Sequence, residues 1–152
     1  MAGNGTQAAA AAVPEEADFD DSASLASYAE SVRELEAVKR SAFTELKALV
    51  NPPVGVKEVM QALGICLGKP DLDWAKIRAQ LLSNPNNLVA MCRDYDKDNM
   101  PAKTLKKLQP FISRDDFNHD AMKNKSAAVA QVAKYVLALH EYASLRQGKG
   151  TQ

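Results

Sequence analysis

Few residues in this 152-residue chain have the type and spacing that chemistry requires, and the familiar sites fail in turn. Asp94-Tyr95-Asp96-Lys97-Asp98 opens like a calcium loop, in which alternating oxygens wrap the ion. Such a loop needs Gly at its sixth position and Glu at its twelfth. Here those positions hold Asn99 and Leu105, so the run reads as an acidic, turn-forming segment. Cys66, Cys92, His119 and His140 contain no close pair at zinc-ligand spacing and read as buried cysteines and surface histidines. Gly68-Lys69 lacks both the preceding glycine and the following Ser or Thr of a phosphate loop. No Ser/His/Asp or Cys/His arrangement can be argued. The expectation is a protein with no enzymatic activity, no cofactor and no metal.

Charge remains. Lys97, Lys103, Lys106 and Lys107 surround one segment, Lys123 and Lys125 open another, and Lys57 follows a double proline. Lys103, Lys106 and Lys107 stand at i, i+3 and i+4 and share one helix face. On charge alone the ordinary reading is a solvated surface. Nucleic acid is a poor fit as partner, because the whole chain is formally neutral and no aromatic residues interleave the lysines. A negatively charged protein surface fits better.

The elements that must position these lysines follow from apolar spacing. Leu25, Tyr28, Val32, Leu35, Val38, Ala42, Leu46 and Leu49 recur every three or four residues. This predicts a first helix over 24–50 with a heptad-like seam. At about 1.5 Å per residue it would run roughly 40 Å. Asn51-Pro52-Pro53 must interrupt it, since the residue before proline avoids the α region and proline lacks the N–H that a continuing helix needs. Short helices follow, lined by Val56, Val59, Met60, Leu63 and Leu67, then by Trp74, Ile77, Leu81 and Leu82. Leu88 to Tyr95 suggests a fourth and Pro101 begins a fifth, after which Phe111, Ile112 and Phe117 look like core anchors in a loop. A last helix, from about Asn118 to Leu145, carries Met122, Val129, Val132, Val136, Leu139 and Ala143 near heptad spacing. No segment alternates with period two.

The fold class expected is therefore all-α. Residues 24–50 and 121–146 would form an antiparallel two-helix coiled coil, capped by a compact bundle of short helices over 51–120. Residues 1–23, Ala-rich with Glu15, Glu16, Asp18, Asp20 and Asp21, read as a disordered acidic tail, and 147–152 as a flexible one. The tail conceals a charge split. Nineteen Lys and Arg balance nineteen Asp and Glu overall, yet five of the acids lie in residues 1–25, leaving +5 on the rest. No apolar run approaches the roughly 20 residues that cross a bilayer, and no basic-then-apolar leader opens the chain, so neither a membrane nor secretion is expected. Two cysteines build no disulfide framework, which suits a reducing compartment.

Several separated motifs then agree with one family. Glu45-Leu46-Lys47-Ala48-Leu49-Val50-Asn51-Pro52-Pro53-Val54-Gly55-Val56-Lys57 resembles the double-proline junction of the microtubule-binding domain of dynein heavy chains, where the incoming coil meets the first cap helix. Leu67-Gly68, Trp74, Tyr95-Asp96-Lys97-Asp98-Asn99-Met100-Pro101 and Ser126-Ala127-Ala128 follow in the family's order, covering about residues 35–145. The Tyr-Asp-Lys-Asp-Asn run is similar to axonemal rather than cytoplasmic members.

The resemblance implies a binding face made by the first cap helix, the segment around 97–107 and the start of the last helix, set in the acidic groove between tubulin subunits. The candidate tubulin-binding residues are Lys57, Lys97, Lys103, Lys106, Lys107, Lys123 and Lys125, with Pro52 and Pro53 as the structural junction. Asn124 stands where cytoplasmic forms carry arginine, and Tyr135 where many members carry tryptophan. The short Lys69–Asp73 connection leaves no room for the β-hairpin flap of some axonemal members. The expected function is a non-catalytic microtubule-binding module of the cytoskeleton, in the axoneme of a cilium or flagellum. A stand-alone ciliary protein is favoured over an excised axonemal stalk tip, because the acidic leader does not continue the heptads. A helical adaptor for another axonemal protein is the third reading.

Overall fold

The computed structural model describes residues 21–150, so most of the expected acidic tail, and residues 151–152 of the expected C-terminal one, lie outside the described residues. Among the described residues all regular structure is helical. Eight α-helices run in the order α1 (Ser22–Glu36), α2 (Arg40–Lys47), α3 (Val54–Cys66), α4 (Trp74–Gln80), α5 (Pro85–Arg93), α6 (Ala102–Ile112), α7 (His119–Met122) and α8 (Ala127–Gly150). A 3-10 turn at Lys97–Asn99 precedes α6.

α1 and α8 lie side by side and antiparallel. Lys134 Nζ meets Glu34 Oε1 at 2.6 Å near one end of α1, and Arg146 Nη1 meets Asp21 Oδ2 at 3.5 Å near the other. The seam on α8 follows the spacing expected: Val129, Val132, Val136, Leu139 and Ala143 are all buried, as is Met122 in α7. On α1 the expected positions Tyr28 and Leu35 are buried and Val32 is half-buried against the core, but the first position departs. Leu25 is 40% exposed, while Ser24, Tyr28, Ser31 and Leu35 face inward at spacings of four, three and four. Each buried serine satisfies its hydroxyl on a carbonyl three residues back, Ser31 Oγ donating to that of Tyr28 and Ser24 Oγ to that of Asp21 at the N-cap. That leaves a small flank for α8 to approach.

The first long helix is also broken. Residues 37–39 leave the α-helical path although none of them is Gly or Pro. Arg40 holds the break from the far side, its Nη1 donating to the Val38 carbonyl at 2.7 Å and its Nε to Asn86 Oδ1 at 2.6 Å. Its Nη1 also donates to the Glu36 carbonyl at 3.4 Å, one of those the ending helix leaves without an intrahelical partner. The restart turns Phe43 fully inward together with Leu46.

α2 ends at Lys47, ahead of the double proline, and the chain turns through 48–53 before α3. Pro53 takes an extended ψ of 150° at the N-cap of α3, and Trp74 Nε1 donates to the Leu49 carbonyl at 2.7 Å, pinning the turn to α4. α3 is the central helix of the cap, packed against both α6 and α8, with Val56, Val59, Met60, Ala62 and Leu63 buried. It stops at Gly68, whose φ of +81° permits the left-handed turn in which the Lys69 N–H reaches back to the Gly64 carbonyl. α6 continues past Pro110 to include Phe111 and Ile112, which are half-buried on a helix rather than set in a loop. The last helix divides as well. α7 is capped by Asn118, then Lys123–Ser126 turn, and α8 starts afresh with Ser126 Oγ accepting from the Val129 N–H at 3.2 Å. α8 then continues through Gly150, past residue 147 where a flexible tail was expected.

Candidate functional site

The first turn of α3 meets the α7–α8 turn at one end of the cap. Gly55 makes this contact possible. A Cβ there would stand 2.5 Å from Asp116 Oδ2 and 2.7 Å from Met122 Cε. Arg114 braces the same place, donating through Nε and Nη2 to the two oxygens of Asp116 at 2.9 and 3.0 Å and reaching Glu58 Oε1 at 3.3 Å. The paired guanidinium holds the Asp116 carboxyl below the ordinary carboxylate range, and nearby Lys125 acts in the same direction. Lys57 stands one residue before Glu58, and Lys123 and Lys125 lie in the turn that follows Met122. The structure therefore brings the first turn of α3, whose next residues include Lys57, beside the turn that carries Lys123 and Lys125. Lys123 and Lys125 are exposed and Lys57 is half-buried.

The lysines of α6 occupy a different place. Gln147 Nε2 donates to the Met100 carbonyl at 2.6 Å, so α6 begins beside the C-terminal part of α8. Through residues 113–118 it ends near the first turn of α3. Leu108 is buried and Leu105 half-buried, leaving Lys103, Lys106 and Lys107 exposed along the outer side. These three form a flank leading toward the Lys57 neighbourhood and do not crowd into it. Among the described residues none of Lys57, Lys103, Lys106, Lys107 or Lys125 has a carboxylate within ion-pair distance, while Lys123 meets Asp120 Oδ1 at 3.8 Å.

A sequence profile described as the microtubule-binding stalk of the dynein motor matches residues 15–145. The chain belongs to this family. Among similar proteins, human dynein axonemal heavy chain 2 is 31% identical over 134 residues, spanning 88% of this chain and 3% of the relative. The dynein-1-beta heavy chain of the flagellar inner arm I1 complex of Chlamydomonas reinhardtii is 28% identical over 118 residues, 78% of this chain and 2% of the relative. The chain thus spans only a few hundredths of the length of the curated relatives it matches. A solved structure described as the microtubule-binding domain of dynein-C has the same fold, with a TM-score of 0.70 at 23% identity, covering 84% of this chain and 90% of that one.

Within this dynein stalk-tip fold, Lys97 stands apart from the other six candidates. Its Nζ lies 5.7 Å from the centroid of the Tyr142 ring and 5.9 Å from that of Tyr28, and meets Asp98 Oδ2 at 3.6 Å. Tyr142 is 15 residues beyond the start of α8, which places Lys97 roughly 20 Å along that helix from Lys125. Two features were not singled out from the sequence. Arg114 was passed over, although Arg114-Asp115-Asp116 carries a base within reach of an acid two residues on. Val50 and Val54 flank the double proline and are 74% and 61% exposed, the most exposed large apolar side chains among the described residues.

No three His, Cys, Asp or Glu residues converge as metal ligands among the described residues, and no described helix is long and apolar enough to cross a membrane. Cys66 and Cys92 are both buried, and burial pushes the Cys92 thiol up to about 12.

Proposed function

We propose that this chain is a non-catalytic module that binds the tubulin lattice, and that it does so in the axoneme of cilia or flagella. The observation that carries the reading is membership of the dynein stalk-tip family over residues 15–145. Its support in the geometry is an exposed basic surface beside the first turn of α3. Lys57, Lys123 and Lys125 would meet acidic tubulin from the end of the cap, with Lys103, Lys106 and Lys107 along the adjoining flank. Pro52 and Pro53 would set the angle at which α3 presents Lys57. The axonemal setting rests on the relatives, which include an axonemal and a flagellar inner-arm heavy chain.

Exposed charges attract over about 8 Å at physiological ionic strength, so the contact should weaken steeply with added salt. Co-pelleting with purified microtubules tests the reading. The wild-type chain should pellet at low salt and be released as salt rises. A Lys57→Glu/Lys123→Glu/Lys125→Glu variant should stay in the supernatant with unchanged helicity. Pelleting of that variant like wild type, or pelleting indifferent to salt, would remove the lysine face from the mechanism. It would favour a helical adaptor that binds another axonemal protein through a different surface.

A further inference from the structure

The short segment that launches α6 is held by both members of the α1–α8 pair. Lys97 Nζ lies over a ring of α1 (Tyr28, 5.9 Å) and a ring of α8 (Tyr142, 5.7 Å). The two rings are themselves stacked at 6.4 Å. Asp98 Oδ1 accepts from the Tyr142 hydroxyl at 2.6 Å and meets Arg146 Nε at 3.8 Å, while Arg146 also reaches Asp21 at the start of α1. Gln147 completes the tie at the Met100 carbonyl. Little slack separates this cluster from α6: Pro101, with φ of −63°, is followed at once by Ala102, and the Thr104 and Leu105 N–H groups donate to the Pro101 carbonyl.

We propose that Lys97 is a positioning residue: its ammonium, held between one tyrosine of α1 and one of α8, fixes the direction of α6 and so of the Lys103–Lys106–Lys107 face, without itself touching tubulin. This deepens the tubulin reading and rests on it. The chemistry is direct. A cation is attracted to the faces of aromatic rings within about 6 Å, and guanidinium serves as well as ammonium. The Lys97 side chain is 28% exposed and already engaged by two rings and a carboxylate. Lys106, by contrast, is exposed with no ion-pair partner among the described residues.

Salt dependence distinguishes the two roles, because losing a charge at the contact changes how binding responds to salt, whereas losing a brace does not. Microtubule co-pelleting of the full chain at several salt concentrations would compare wild type with Lys97→Gln, Lys97→Arg and Lys106→Gln. Lys97→Gln should weaken binding about fivefold with the wild-type salt slope, a loss typical of one cation–π site. Lys97→Arg should restore it, and Lys106→Gln should weaken binding and flatten the slope. Hydrogen exchange without microtubules gives a second readout, in which Thr104 and Leu105 should lose protection in Lys97→Gln while the amides of α3 keep theirs. A flattened slope for Lys97→Gln would make Lys97 a direct contact. Wild-type affinity with unchanged exchange at Thr104 and Leu105 would end the positioning role. Failure of wild type to pellet would refute the tubulin reading and, with it, the part of this proposal that concerns binding, while the exchange comparison would still decide whether Lys97 holds α6.

Discussion

Tyr135 offers the sharpest test of how the fold is held. It is fully buried on α8, and its hydroxyl donates to the Cys92 carbonyl of α5 at 2.8 Å. The Tyr28 hydroxyl of α1 lies 3.3 Å from that of Tyr135 and 3.5 Å from the same carbonyl. Three helices thus meet at one acceptor, with the two rings 5.6 Å apart. Tyr135→Phe removes the short bond while conserving nearly all the volume. An unpaired buried acceptor costs about 1–3 kcal/mol. The Cys92 carbonyl keeps two long contacts, from Tyr28 and from the Tyr95 N–H at 3.5 Å, so the lower half of that range applies, about 1.5 kcal/mol. In a chain of this size that lowers the melting temperature by about 3–6 °C. Tyr28→Phe breaks only the long bonds and should cost about 0.5 kcal/mol, at the low end for a hydrogen bond. The losses in the double variant should not simply add, because the two hydroxyls share one acceptor and are partners of each other. Urea unfolding followed by circular dichroism measures all three, with an unchanged slope confirming that only stability has moved. The reasoning fails if Tyr28→Phe costs as much as Tyr135→Phe, or if the two losses simply add.

Replacing Pro52 and Pro53 together with Ala should keep or raise helical content and weaken microtubule co-pelleting; unchanged binding would reduce the prolines to a spacer. Gly55→Ala forces a methyl against Asp116 and Met122 and should cost about 1–3 kcal/mol in urea unfolding, with weaker pelleting because the first turn of α3 is pushed away from the α7–α8 turn. Asp98 is held below its ordinary value, chiefly by the Tyr142 hydrogen bond and then by Lys97 and Arg146. Its contribution is therefore present above the unfolded carboxylate value of about 3.9 and is lost as pH falls through the lower folded value. Asp98→Asn should accordingly be less stable than wild type at pH 7, and the difference should shrink in thermal melts as pH falls below the unfolded carboxylate value and through the lower folded one. Burial raises the pKa of both thiols, so iodoacetamide at pH 8 should modify Cys66 and Cys92 slowly in the native chain and readily in urea, by mass spectrometry.

The α8 seam was legible because its buried positions are apolar: Val129, Val132, Val136 and Leu139 announce themselves. On α1 Tyr28, Val32 and Leu35 were legible for the same reason, but Leu25 was not, because its size outweighed the serine at 24, and hydrophobicity cannot show that Ser24 and Ser31 bury hydroxyls bonded to carbonyls three residues back. Prolines made the 52–53 junction readable. The interruption at 37–39 had no such breaker, since it depends on Arg40 reaching back to Val38 and across to Asn86, a residue 46 positions away. The lysines were legible as a basic set, but not their separation. Lys97 looks in sequence like its neighbours on α6, and only the approach of Tyr28 and Tyr142 distinguishes it.

The two routes by which the α1–α8 pair enters the cap differ in stiffness. α8 runs 24 residues without interruption, a rod of about 36 Å. Beside it, the chain from Ser22 to Lys47 is jointed at 37–39, where no continuous ladder of hydrogen bonds spans the gap. A rod resists compression and extension along its axis, whereas a joint yields to both. Tension applied between the far end of the pair and the basic end of the cap would therefore travel through α8 to the Lys123–Lys125 turn. The α1–α2 joint would take up the deformation. The α1–α8 pair thus enters the cap by one continuous helix, which leads to the Lys123–Lys125 turn, and by one interrupted helix, which leads through the double proline to Lys57.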